Sequence, residues 1–107
     1  MPDHRGDVAA LLERVRGQRD EIERIQRGVA AMEVTGRSRH DVVRVTVRGS
    51  GQLSNVTIDP DALSDYDADE LGEIVMEAVN DGLRKVAEAS RAKFQPVIEA
   101  ASKAEGP

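Results

Sequence analysis

Catalysis needs a nucleophile or an acid–base pair held in place, and this chain of 107 residues supplies few candidates. Its two histidines, His4 and His40, lie in polar segments, and with no serine or cysteine nucleophile context accompanying either they read as solvated loop residues. Gly49, Ser50 and Gly51 form a short glycine-rich run between two strand-like stretches. A phosphate-cradling loop opens a helix instead, so turn chemistry accounts for this one. Asp65, Asp67 and Asp69 have the spacing of a calcium loop, but the sixth position is Glu70 where glycine is needed and the twelfth is Met76 where a bidentate glutamate is needed. The same acids suit a helix start, with Asp67 and Glu70 three apart as a capping box. The residues point to no metal, no cofactor and no enzyme.

Basic side chains are the remaining candidates. Between residues 7 and 32 stand Arg14, Arg16, Arg19, Arg24 and Arg27, matched by five acids. They can be read as a phosphate-contacting arm. They can also be read as internal i,i+4 pairs, Arg16 with Asp20, Arg19 with Glu23, Asp20 with Arg24 and Glu23 with Arg27, and the zero sum of the segment favours this second reading on sequence alone. Arg37 and Arg39 flank Ser38 with little acid nearby, and Lys85, Arg91 and Lys93 form a weaker group near the other end. The net charge of −5 hides a block: residues 59–83 hold nine acids and no base. Binding follows local potential, so overall acidity does not exclude an anionic partner. With aromatics at only 2% of residues, base stacking is not available, which leaves duplex phosphate contact as the nucleic-acid mode.

Two kinds of element must position these groups. Val8, Val15, Ile22 and Val29 keep a seven-residue step, joined by Leu11, Ile25 and Met32, with Gln18 as the gap. That predicts a helix over 7–32, with Asp7 as its N-cap and a hydrophobic seam seeking a partner. Period-two alternation predicts strands over 32–36, 41–48 and 53–58, a three-stranded antiparallel meander. A second helix is expected over 68–95, stopped or kinked by Pro96, with a frayed tail over 103–107. At 1.5 Å per residue the two helices span about 39 and 42 Å, whereas strands of six to eight residues span roughly 20–27 Å. Both helices must therefore overshoot the sheet and pair as a projecting arm. The sheet's valine-rich face, Val43, Val45, Val47, Val56 and Ile58, is expected to join two copies.

The stretch Val43-Arg44-Val45-Thr46-Val47-Arg48-Gly49-Ser50-Gly51-Gln52-Leu53, then Val56-Thr57-Ile58-Asp59-Pro60 and Leu63, resembles the core of the YbaB/EbfC nucleoid-associated family, as do residues 71–81. The resemblance covers residues 8–95. It implies an α+β chain ordered α-β-β-β-α, a sheet-joined homodimer with protruding helical arms, and DNA binding without enzymatic activity. Two features depart from the family pattern: the first helix is rich in Arg and Glu, and Gly82 stands where alanine is usual.

One domain is the most this length allows. The absence of cysteine removes any disulfide framework, no apolar run approaches the roughly 18 residues of a membrane span, and no apolar segment of the signal-peptide kind follows Met1. A cytoplasmic, nucleoid-bound dimer contacting duplex DNA through Arg14, Arg16, Arg19, Arg24, Arg27, Lys85, Arg91 and Lys93, with Arg37 and Arg39 secondary, is the leading expectation. A dimeric adaptor for a protein partner, using the acidic block and the helical seams, is the alternative.

Overall fold

The computed structural model describes residues 5–104. The order is helix α1 (Arg5–Ala31), strand β1 (Glu33–Arg37), a 3-10 turn (Arg39–Asp41), β2 (Val43–Arg48), β3 (Leu53–Ile58), a one-turn helix α2 (Ala62–Asp65) and α3 (Ala68–Ala104). The strands form an antiparallel meander, β1-β2-β3, and the α+β architecture expected from the residue pattern is the one observed.

Register decides which side chains face inward. Val34 pairs with Val47 and Gly36 with Val45, while Val43, Val45 and Val47 face Ile58, Val56 and Leu53. Directly paired residues share a face, so all of these lie on one side of the sheet. Helix α3 lies across β1 and β2 on that side. It seals Val43, Val45 and Val47 against Ile74, Ala78 and Val86, and half-buried Leu71, Val75, Val79 and Tyr66 complete the core. Every residue of β3 stays exposed.

Gly36 and Gly82 explain the close approach of α3. A Cβ at Gly36 would run into the Ala78 carbonyl oxygen, and one at Gly82 would stand 2.6 Å from Val47 Cγ2. Gly82 is thus one half of a glycine–glycine crossing between α3 and β1. Asp67 and Glu70 cap α3 as expected: Glu70 N–H donates to Asp67 Oδ1 at 2.8 Å, and Asp67 N–H to Glu70 Oε1 at 3.4 Å.

Beyond the sheet, α1 and α3 run antiparallel. Gly28 lies beside Lys93, and Gln18 and Ile22 lie beside Val97 and Ala101. The molecule measures 83 × 27 × 16 Å with a radius of gyration of 21.9 Å, against about 13 Å for a compact domain of 100 residues. The overshoot is real.

Several boundaries differ from the sequence expectation. Pro96 does not stop α3, which runs to Ala104. A proline removes one helical hydrogen bond, and here Val97 and Ala101 on its far side lie alongside Gln18 and Ile22 of α1, so the antiparallel pairing extends past the proline. Asp7 lies in the first turn of α1 instead of capping it. The second strand begins at Val43, two residues late, because His40 and Asp41 take positive φ (55° and 53°) in the 3-10 turn. Ser38 closes that excursion by accepting the Val43 N–H at its Oγ, 2.8 Å. Of the expected frayed tail, residues 103 and 104 are helical, and residues 105–107, like His4, lie outside the described residues.

Candidate nucleic-acid interface

The structure divides the basic candidates into two groups. On α1, Arg14, Arg16, Arg19, Arg24 and Arg27 are all exposed, and among the described residues none of them makes an ion pair. The i,i+4 pairs that the spacing favours do not form. Exposed pairs of this kind are worth only a few tenths of a kcal/mol, comparable with the entropy lost in ordering two long side chains. Helical geometry places Arg16, Arg24 and Arg27 on the face opposite the apolar seam, with Arg14 and Arg19 flanking the seam on either side. On distal α3, Arg91 and Lys93 are exposed and unpaired. Lys93 reaches across to α1, its Nζ 3.8 Å from the position a Cβ would take on Gly28. Since Arg24 is one helical turn before Gly28, Lys93 joins Arg24 on a shared surface.

At the body Arg37, Arg39, Arg48, Arg84 and Lys85 are already engaged, and only Arg44 of β2 lacks an acidic partner among the described residues. The Arg37 N–H donates to Asp81 Oδ2 at 2.9 Å, and its guanidinium pairs with Asp41 at 3.2 Å. Arg39 donates to Glu77 through both backbone and side chain, with Nη2 2.8 Å from Oε2. Lys85 pairs with Asp81 at 2.9 Å and donates to the Thr35 carbonyl at 3.0 Å, while Arg84 meets Asp81 at 2.8 Å. The Arg37 N–H, reinforced by Lys85 and Arg84, holds the Asp81 carboxyl down at about 2. Its hydrogen bonds to the Arg39 side chain hold the Glu77 carboxyl below its ordinary value, and the same bond raises Arg39. Arg37, Arg39 and Lys85 therefore serve as a latch between β1 and α3, and they are not free cationic groups.

Sequence reading missed this latch, although its periodicities match. Two residues of extended chain advance about 6.7 Å and four of helix about 6 Å, so Arg37 and Arg39 meet Asp81 and Glu77 in antiparallel order. Part of the acidic block thus works inside the fold. Asp67 is occupied by its capping bond, and among the described residues no acid or histidine cluster has the arrangement of a metal site. His40 stands exposed at the tip of the 3-10 turn.

The five side chains expected to join two copies also separate. Val43, Val45 and Val47 are buried by the chain's own α3, so that expectation is corrected for β2. Only Val56 and Ile58 remain accessible, at 46% and 37% exposure, with Leu53 beside them. The flank of α3 facing away from Glu77 and Asp81, toward β3, adds exposed Met76 and Leu83.

Residues 5–101 match the YbaB/EbfC DNA-binding family. The chain belongs to that family. A nucleoid-associated protein of Corynebacterium kroppenstedtii is 28% identical over 94 residues, covering 88% of this chain and 94% of the relative. The crystal structure of an uncharacterized protein from Helicobacter pylori superposes with a TM-score of 0.66 at 23% identity, covering 92% of this chain and 99% of that one, and so shares the fold. No helix among the described residues is long and apolar enough to cross a membrane.

Proposed function

We propose that this chain is a nucleoid-associated protein of the cytoplasm that binds duplex DNA as a homodimer, contacting phosphates through its helical arm with low sequence specificity. One observation carries the reading: among the described residues the bases without an acidic partner are concentrated on the arm (Arg14, Arg16, Arg19, Arg24, Arg27, Arg91 and Lys93), while on the body Arg37, Arg39 and Lys85 are neutralised within the fold and Arg44 alone stands exposed without a partner. Unpaired guanidinium and ammonium groups gain from displacing counterions at phosphates, a term indifferent to base sequence. The shortage of aromatics and the mixed charge of α1 both argue against tight, base-specific readout.

Homodimer formation is supported by the uncovered β3 edge of the sheet. The edge strand β3 carries Leu53, Val56 and Ile58 beside Met76 and Leu83 of α3, an apolar strip that a second copy would cover. Light scattering of Val56→Lys against the unsubstituted protein tests this, with a fall from dimer to monomer mass expected.

Gel-shift titration on unrelated duplexes at several salt concentrations tests the whole reading. Binding should be independent of sequence and fall steeply with salt, and an absence of binding at tens of micromolar protein in low salt would remove the proposal. A second reading, a docking protein for a basic protein partner, is favoured by the acids left exposed around α2 and the start of α3, Asp59, Asp61, Asp65, Asp69 and Glu73. Recovery of one defined protein in a pull-down treated with nuclease would support it.

A further inference from the structure

The heptad seam of α1 continues past the part that α3 covers. Ile22, Ile25 and Val29 are half-buried along α3, whereas Val8, Leu11 and Leu12 are 55%, 59% and 50% exposed and Val15 is also open. The change falls at a definite level. Gln18, the polar gap in the seam, stands beside Ala101, and a groove of about 250 Å³ opens there between Gln18, Ile22, Pro96 and Ala100. Outward of that groove the α1 tip presents Val8, Leu11 and Val15 in the same heptad positions that bind α3 further in, with Leu12 beside them.

We propose that the α1 tip is a self-association surface whose occupant is the α1 tip of a second copy, paired antiparallel and belonging to a separate assembly. Continuity with the α1–α3 seam is one argument: residues already patterned to hold an antiparallel helix have none beside them among the described residues. Charge complementarity is the other. With Val8 of one copy facing Leu11 of the other, the flanking positions bring Asp7 of each copy beside Arg14 of the other. A slip by one heptad would set Arg14 against Arg14. The contact is two-fold symmetric and self-complementary, as interfaces between identical chains generally are. It is also small. A few hundred Å² per tip falls short of the roughly 1,200–2,000 Å² of stable interfaces, so it stays weak between free molecules and strengthens where many copies are held close together. Arg16, Arg24 and Arg27 lie on the opposite face of α1 and remain accessible in such a pair.

The chain has no cysteine, which makes the test direct. Leu11→Cys mixed with Val8→Cys, each in the full-length protein, should form a disulfide-linked pair under mild oxidation at least tenfold faster than Glu13→Cys, which lies off the seam, mixed with Val8→Cys, with a rate that rises with protein concentration. In parallel, sedimentation should show mass increasing with concentration for the unsubstituted protein. Val8→Gln combined with Leu11→Gln, which adds no charge to the arm, should stay at the basal mass, with unchanged circular dichroism and an unchanged gel shift on short duplexes. Equal linking at positions 11 and 13, linking independent of concentration, or the same mass curve for both proteins would overturn the proposal.

Discussion

The arm and the body are built from the same two helices, yet they use charge in opposite ways. At the body, Glu77 and Asp81 of α3 meet Arg37, Arg39, Arg84 and Lys85 at ion-pair or hydrogen-bond distance and clamp β1 against the helix. On the arm, Arg16, Arg19, Arg24 and Arg27 have acids one turn away, and among the described residues neither they nor Arg14 makes an ion pair. The difference lies in what else fixes the groups. Backbone N–H donors of β1 hold the body's carboxylates in place before any side chain is ordered, so the ion pairs there add to bonds already made. An arm pair would have to order two flexible side chains from nothing, and solvent wins. Apolar side chains divide the same way: β2 loses its valines to α3, while the arm tip and β3 keep theirs in view.

The largest expected effect would break the comparison on the arm. Replacing Arg16, Arg24 and Arg27 together by alanine should weaken duplex binding by roughly two orders of magnitude and flatten the slope of log affinity against log salt by about 0.9 for each phosphate no longer neutralised. The melting temperature should stay within a degree or two. Arg37→Ala with Arg39→Ala should do the reverse, lowering the melting temperature with little change in the gel shift. If the body pair reduced binding as much as the arm triple, the division of roles would be wrong.

Next in size is the crossing of α3 over β1. Gly36→Ala must move the backbone of α3, since the nearest atom to the new Cβ is a carbonyl oxygen, and should cost about 1–3 kcal/mol or more in chemical denaturation. Gly82→Ala meets a valine methyl and should cost less.

A smaller effect is acid-dependent. The folded pKa of Asp81, about 2, lies below its ordinary 3.8, so the unfolded chain takes up the proton first. The contribution of Asp81 is present above pH 4 and is lost as pH falls from about 4 to 2. Asp81→Asn should lower stability near neutrality by about 1–2 kcal/mol, allowing for solvent screening, and make the acid limb of the stability curve shallower. The smallest effect belongs to Arg48 and Glu33, an exposed pair 3.7 Å apart, whose removal should change stability by less than about 0.5 kcal/mol.

Much of the fold was legible because its periods are local. The seam from Val8 to Met32, the alternation of Val43, Val45 and Val47 and the Asp67–Glu70 capping box each report backbone geometry over a few residues, and each element appeared within two or three positions of its expected place, apart from the far end of α3. The run of α3 past Pro96 was not legible, because α1 lies about 75 positions away in sequence and its support is a tertiary contact. The left-handed turn at His40 and Asp41 was hidden for a related reason, since Ser38 and Val43 close it by bonds that composition does not reveal. Among the candidate site residues, spacing could locate every base but could not say which were occupied.

By itself the sequence determined the elements, their lengths and therefore the projecting arm, because rise per residue and hydrophobic period are properties of the chain alone. It also determined that the acid forms one block. Tertiary structure decided which bases that block neutralises, which valines remain exposed and why residue 82 is glycine. Those outcomes depend on which faces of α3 meet β1 and β2, and that docking brings together side chains some 40 residues apart in the sequence.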